Sequence, residues 1–288
     1  MTQQKPTMGC LYVVATPIGN LEDITIRAMR LLSTVSVIGC ENVVRTKSLL
    51  HSLRIEDKDK KFIVLNDANE DHATTQILAT LNSTQDVVIV SDAGTPLVSD
   101  PGFQLIREAH ATGISAVPVP GPSAVSTLFS VCPIPLQEYR FVGFFAKKGK
   151  KRSNQLAQLQ TADTSTILFE SPHRILNTLE DMLELGMGER SVFLGREMTK
   201  RFEEYYHATL RELHDVLSDR SNIKGELVLV IDSGSRAQSA WSEDQLKKAL
   251  LPYLKPTQVA AILAELTELT RGEAYAHVVE HVEDSTQV

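Results

Sequence analysis

Runs of apolar residues, each long enough for one strand, alternate with segments of helical spacing along most of the chain. In the clearest run, Val87–Val90, every side chain is β-branched and apolar, which is typical of a strand buried on both faces of a parallel sheet. Because strands alternate with helices, the pattern predicts an α/β fold. The other runs predict strands near residues 11–15, 35–40, 62–65, 114–119, 141–145, 166–169, 191–197, 205–210 and 225–232.

A Pro-Gly-Pro segment and a later change of pattern divide the chain. Pro120, Gly121 and Pro122 follow the fifth predicted strand, where they suit both an interdomain hinge and the turn into a helix. From about Trp241, LKKALLPYL and QVAAILAEL have helical spacing, and Pro256 separates them, which predicts small amphipathic helices for packing or a dimer contact. We therefore expect an N-terminal α/β domain at 1–120, a C-terminal α/β domain at 121–235 and a helical tail at 236–288.

The stretch DVVIVSDAGTPLVSDPG, residues 86–102, contains the best candidate for a ligand-binding loop. Open α/β sheets bind ligands at the carboxyl ends of their parallel strands, and Gly94 allows close approach because it has no Cβ. Asp100 is predicted to cap the following helix, with Pro101 in its first turn, and Ser171 with Pro172 is predicted to do the same after the strand near 166–169. An ordinary strand-to-helix turn would explain Gly-x-Pro alone, but not the whole stretch.

Net charge, missing motifs and cysteine spacing argue against several classes of protein. The formal net charge of −7 argues against a generally basic nucleic-acid binder, so any RNA contact needs a local patch. Such a patch is present in the basic segment, residues 147–152, where five of six residues are cationic and Gly149 indicates a loop. A charge run by itself is usually solvated surface. The first strand is not followed by G-x-G-x-x-G, which argues against a nicotinamide enzyme. The three cysteines lack metal-ligand spacing and the polar start lacks a signal-peptide core, so we expect a cytoplasmic protein without a metal.

Five stretches together resemble the tetrapyrrole-methylase-like superfamily, in the branch that 2′-O-methylates a cytidine of small-subunit (16S) ribosomal RNA. The resemblance runs from about Leu11 to Asp232 and implies a two-domain fold with the cofactor cleft between the domains. It also implies S-adenosylmethionine as cofactor, 16S rRNA or the 30S subunit as substrate, and a homodimer, with no membrane or DNA partner. The stretches are residues 86–102, LYVVATPIGNLEDIT (11–25), PVPGPSAVSTL (118–128), ILFESPHRILNTLED (167–181) and GREMTKRFEE (195–204).

The resemblance assigns candidate site residues. Glu41, Glu170 and His173 are alternative candidates for a base that removes the ribose hydroxyl proton, and the sequence does not rank them. An RNA substrate makes phosphate contact by the basic segment the favoured interpretation, through Lys147, Lys148, Lys150, Lys151 and Arg152. The residues expected to line the cofactor are Pro17, Gly94, Thr95, Pro96 and Val98 from the first domain, and Ser123, Ala124, Phe169 and Gly225 from the second.

Two loops depart from the family pattern. Where relatives carry A-E-D-T-R, this chain has Glu41 followed by Asn42, Val43 and Val44, and Arg45 comes one residue later. A shift of one residue rotates a helical side chain by about 100°. Histidines that relatives place near Asn66 and Ala68 are also missing. These departures fit either drift in dispensable loops or a changed function. The alternatives are a small-molecule, tetrapyrrole-type methylase and a non-catalytic RNA- or ribosome-binding relative.

Overall fold

Five parallel strands form the first sheet of this computed structural model, which describes residues 8–233, 243–267 and 269–285. In hydrogen-bonded order the sheet runs β3-β2-β4-β1-β5, so all five strands end at the same edge. The predicted α/β pattern of this region is confirmed. The strands are β1 (Leu11–Val14), β2 (Val37–Cys40), β3 (Lys61–Val64), β4 (Val87–Val90) and β5 (Ala116–Val119).

Helices cover both faces of this sheet, as the doubly apolar strands require. On one face, Val87 and Ile89 pack in a core with Ile77 and Leu105; on the other, Val88 packs with its own apolar cluster. Because neighbouring residues of one strand enter different cores, the strand must be apolar throughout. The helices are α1 (Ile26–Thr34), α2 (Val43–Ser52), α3 (Glu70–Asn82) and α4 (Phe103–Ala111), and a short 3₁₀ helix spans Leu21–Asp23.

The second sheet is mixed. Its order is β6-β7-β10-β8-β9, with β6 and β7 parallel and the other neighbouring pairs antiparallel. Its strands are β6 (Tyr139–Phe144), β7 (Ser165–Glu170), β8 (Ser191–Arg196), β9 (Glu204–Thr209) and β10 (Leu227–Ile231). The accompanying helices are α5 (Ala124–Phe129), α6 (Lys150–Gln160), α7 (Ile175–Glu184) and α8 (Leu210–Ser218).

Both sheets belong to one compact unit that ends at Asp232, and a second unit begins at Ser233. The second unit contains α9 (Glu243–Leu250), α10 (Pro256–Leu266) and α11 (Arg271–Ser285), around a small core that includes Val259, Leu263 and Val278. The expected helical tail is thus present, with Pro256 in the first turn of α10. The domain boundaries near 120 and 235 stay predictions; position 235 and Trp241 lie outside the described residues. Among the described helices, none is long and apolar enough to cross a membrane.

Local structure differs from the sequence-based predictions at three helix starts. Asp100 is not a cap, because α4 begins at Phe103 with Gly102 as its N-cap. The N–H groups of Gly102 and Gln104 instead donate to Glu70 Oε1, each at 3.0 Å. Ser171 likewise lies before a turn rather than at the cap of α7, whose N-cap is Arg174. The basic segment is not all loop, since α6 begins at Lys150.

Asn42 replaces the aspartate of its relatives without loss of the helix cap. Its side-chain oxygen accepts hydrogen bonds from the N–H groups of Val44 (2.9 Å) and Arg45 (3.2 Å) at the start of α2. Asparagine and aspartate are equally good N-caps, so this departure preserves the local structure.

We expect Asn42→Ala to lower the free energy of unfolding by about 1 kcal/mol, because two N–H groups lose their acceptor. Asn42→Asp should change it little, and Asn82→Ala, at the exposed last position of α3, serves as control. Urea denaturation measures all three. Equal stability of Asn42→Ala and the parent would contradict the capping role.

Candidate functional site

A cavity of about 320 Å³ lies where the strand-end edges of the two sheets face each other within the first unit. The first sheet contributes the residues that follow β1, β2, β4 and β5, all at its carboxyl edge. The second sheet contributes the ends of β6, β7 and β8 and the start of β10. A cleft at this edge is where an open α/β sheet is expected to bind its ligand.

Seven of the nine residues expected to line the cofactor do line this cavity. Pro17 and Pro96 do not, although the cavity touches their neighbours Ile18 and Thr95. The structure therefore brings together residues that are far apart in the sequence. The seven are Gly94, Thr95, Val98, Ser123, Ala124, Phe169 and Gly225.

The loop after β4 owes its path to unusual backbone conformations. Gly94 has φ of 81° and exchanges two backbone hydrogen bonds with Thr16, at 2.8 and 3.0 Å. Leu97 and Ser99 also lie in the left-handed region, with φ of 70° and 71°. Such conformations cost about 1–3 kcal/mol each for residues other than glycine, and they concentrate at functional sites. The hydroxyl of Thr95 holds the loop to the carbonyl of Pro122 at 3.0 Å.

On the opposite wall, Glu197 fixes the backbone that enters β10. Its Oε1 accepts hydrogen bonds from the N–H of Glu226 at 3.0 Å and from Lys200 Nζ at 2.8 Å. Burial raises the pKa of Glu197, but these two donors outweigh it and hold the pKa below the usual value. Gly225 is required here, because a Cβ at this position would overlap the Glu197 carboxylate.

Three carboxylates line the first-sheet side of the cavity. The N–H of Asp92 donates to Glu41 Oε1 at 3.2 Å, and Asp92 Oδ2 pairs with Arg45 Nη1 at 2.9 Å. Asp92 Oδ1 is buried and has no hydrogen-bond partner among the described residues. Burial raises the pKa of Glu41. The pKa of Asp100 is raised to about 7. Burial is the largest cause and the negative charge of Glu41 the next, while a hydrogen bond from the Ser91 hydroxyl acts in the opposite direction.

Sequence-based reasoning did not assign Asp92 to the site, and it assigned Asp100 a different role. Its place before Pro101 suggests a helix cap, whereas Glu70 performs that role and Asp100 faces the cavity instead. An acidic residue in a cleft with a pKa near 7 is a candidate for acid–base chemistry. The available signal was its position in a loop at the carboxyl end of a buried strand.

The other candidate bases differ sharply in their surroundings. Glu170 lines the cavity, but its side chain is fully buried and accepts hydrogen bonds from the Ser171 N–H (2.7 Å), Arg174 Nη2 (3.0 Å) and Thr178 Oγ1 (2.8 Å). These donors fix the start of the loop after β7 and leave Glu170 suited to positioning. His173 is exposed and is not among the residues that line the cavity. Glu41 lines it and keeps its place as an alternative base.

The basic segment divides into exposed and engaged cations. Lys147, Lys148, Lys150 and Lys151 are exposed, around the N-cap Gly149 of α6. Arg152 points inward, where its Nε donates to Asp181 Oδ2 at 2.8 Å and its Nη2 donates to Thr178 Oγ1 at 3.1 Å. Four lysines are therefore available to a partner, while Arg152 holds α6 to α7.

Comparison with known proteins agrees with this architecture. The sequence profile described as Tetrapyrrole (Corrin/Porphyrin) Methylases matches residues 10–214. The chain is 37% identical over 276 residues to "Ribosomal RNA small subunit methyltransferase I" of Vibrio cholerae, a match that covers 94% of this chain and 95% of that protein. It is 38% identical over 283 residues to the protein of that name from Haemophilus influenzae, covering 96% and 98%.

Among solved structures, the uroporphyrin-III C-methyl transferase of Thermus thermophilus, complexed with S-adenyl homocysteine, matches with a TM-score of 0.54 and 18% identity. This match covers 77% of the present chain and 97% of the other, and it shows the shared fold. The profile match and the two full-length relatives show more: the chain belongs to the tetrapyrrole methylase family, in the group of the ribosomal RNA small subunit methyltransferases I.

Proposed function

We propose that the protein is an S-adenosylmethionine-dependent methyltransferase that 2′-O-methylates a cytidine ribose in 16S ribosomal RNA of the small subunit. The observation that carries this proposal is the match to relatives named as rRNA methyltransferases, which spans 94–96% of this chain and so includes both walls of the cleft. The acidic, half-apolar cleft supports it independently, because S-adenosylmethionine combines cationic groups with an apolar adenine.

The cleft residues fit such a donor. Glu41, Asp92 and Asp100 offer negative charge, and the buried Oδ1 of Asp92 is an acceptor without a hydrogen-bond donor among the described residues. Ile18, Phe169 and Val228 offer apolar surface. The cavity of about 320 Å³ lies in the range of about 300–1,000 Å³ that small-molecule sites occupy. When bound, the donor supplies a methyl group on a sulfonium, already activated for attack by a ribose hydroxyl.

The protein's own contribution is positioning and proton removal. We assign Asp100 as the general base, because its pKa of about 7 lets it be ionised near neutral pH and still accept the hydroxyl proton. The rigid β4 loop and the Glu197-anchored wall hold the two reactants, and orientation of this kind can supply much of the rate enhancement. Glu170 acts as a positioning residue for the loop 171–174.

The four exposed lysines around Gly149 are assigned to RNA phosphates. The chain as a whole is acidic, so a local cationic patch has to attract the substrate.

We further propose that the protein works in the cytoplasm, where ribosomal subunits are found, and as a homodimer. Exposed apolar side chains such as Ile26 on α1 and Tyr253 after α9 support self-association, which light scattering can measure.

The function is tested with purified small subunits and donor labelled in its methyl group. Label should enter 16S rRNA at one cytidine and protect the adjacent linkage from alkaline cleavage, since a 2′-O-methyl group blocks that reaction. Label transferred to a tetrapyrrole offered in place of the subunit would support a small-molecule methylase. Donor binding without any transfer would support a non-catalytic relative.

Gly94→Val should weaken donor binding at least about tenfold, or 1.4 kcal/mol, because valine is strained at φ of 81° and meets Ile18. Gly113→Val, at φ of 76° in open space, controls for backbone strain alone.

Asp100→Asn should lower the single-turnover rate about a hundredfold or more, the usual contribution of a general base. In the parent, kcat/KM should rise with pH until Asp100 is ionised and level off above about 7. Asp67→Asn is the matched control: it removes a negative charge that raises the pKa of Asp100, so the rate should persist and the inflection should move to lower pH. An unchanged profile in Asp100→Asn would refute the assignment.

Lys147→Glu combined with Lys148→Glu should weaken RNA binding and leave donor affinity unchanged. The slope of log K against log salt should flatten by about 0.7–0.9 for each RNA phosphate that the variant no longer neutralises. Lys58→Glu with Lys61→Glu makes the same change of charge at exposed positions elsewhere on the surface. If both pairs weaken binding equally, net charge rather than this segment attracts the RNA.

A further inference from the structure

Arg45 is the only cationic residue among those that line the cleft in the part of the chain that the structure describes. Its Nη1 lies 2.9 Å from Asp92 Oδ2, although the two residues are 47 positions apart in sequence. The Arg45 side chain is 70% exposed and the Asp92 side chain 23% exposed, so the pair lies at the entrance of the cleft. Arg45 thus marks the boundary between solvent and the acidic interior.

The start of α2 explains how Arg45 reaches this position. Asn42 caps the helix and binds the N–H of Arg45, which fixes its backbone in the first turn. Val44, at the position where relatives carry arginine, is 78% exposed and is not among the cleft-lining residues. The longer side chain of Arg45 therefore supplies the guanidinium at the cleft from one residue further along the helix.

An RNA strand that enters this cleft meets an electrostatic obstacle. Glu41, Asp92 and Asp100 repel phosphate, while the reacting ribose is flanked by phosphates on both sides. Arg45 is the exposed partner of this pair, with 70% of its side chain accessible against 23% for Asp92, so its guanidinium can reach an anion that approaches from solvent. A guanidinium also matches phosphate oxygens with two parallel hydrogen bonds.

We propose that Arg45 is a substrate-positioning residue that binds an RNA phosphate next to the reacting ribose, by exchanging its partner Asp92 for that phosphate. The inference rests on the proposed function and adds a residue to it. The lysines around Gly149 attract the strand, whereas Arg45 fixes its register at the cleft entrance. The guanidinium that the family pattern carries at position 44 is then supplied from position 45.

The test uses single-turnover methylation of small-subunit particles together with calorimetry of donor binding. Arg45→Gln should raise the apparent KM for the subunit about tenfold or more and flatten the salt slope by about 0.7–0.9. Donor affinity should not fall, because the change removes a cation beside a cationic ligand. Arg45→Lys, which keeps the charge without the planar fork, should be intermediate. Lys47→Gln is the matched control, because Lys47 is on the same helix but pairs with Asp57 and does not line the cleft.

A double variant separates phosphate binding from mere neutralisation of Asp92. If Arg45 only neutralises Asp92, Arg45→Gln with Asp92→Asn should recover the parental KM and salt slope, which would overturn the inference. If Arg45 binds phosphate, the double variant should stay defective. An unchanged KM and salt slope in Arg45→Gln, with an active parent, would refute the inference and leave the proposed function intact. A parent that transfers no methyl group to the subunit would refute both.

Discussion

The three carboxylates gathered on the first-sheet wall of the cleft impose the constraint on which the site depends. Glu41 follows β2, and Asp92 and Asp100 follow β4, so the parallel pairing of two neighbouring strands brings the three carboxylates together. Burial and mutual repulsion raise the pKa values of Glu41 and Asp100, and Arg45 at the entrance is only a partial counterion. A cationic ligand relieves this repulsion, so the same charges that destabilise the empty cleft favour donor binding.

Hydrogen bonds within the surrounding fold hold the loops on both sides of the cleft in fixed positions. The β4 loop is bonded to Thr16 and Pro122, and Glu197 ties the start of β10 to the loop after β8. Left-handed residues occur in both loops, at Leu97 and Ser99 on one side and at Glu197 and Thr199 on the other. Conformations of this cost persist only where many contacts determine them, and the two packed sheets provide those contacts.

Sequence patterns predict the strands and the strand-end location of the site, because these follow from local periodicity and from the geometry of parallel sheets. Most of the lining of the site is predicted by the family resemblance instead. Sequence patterns fail where a side chain's role depends on a distant partner. Local sequence favours Asp100 as a cap because Glu70, 30 residues away, cannot be foreseen as the acceptor at the start of α4. Arg152 looks like one more surface charge because its partner Asp181 is on another helix. Glu170 looks like a free base for the same reason: Arg174 and Thr178 occupy its carboxylate only in the folded chain.

The walls of the cleft and its entrance differ in what holds them in place, and this has an evolutionary consequence. The walls at Gly94 and Gly225 are made from backbone conformations and close approaches that few residues tolerate. The entrance at α2 is made from side chains on the first turn of a helix. Asn42 caps that turn through backbone N–H groups, so the cap does not depend on the side chains that follow it. Substitutions at the entrance can therefore alter which substrate binds there without disturbing the walls, whereas few substitutions are compatible with the backbone of the walls.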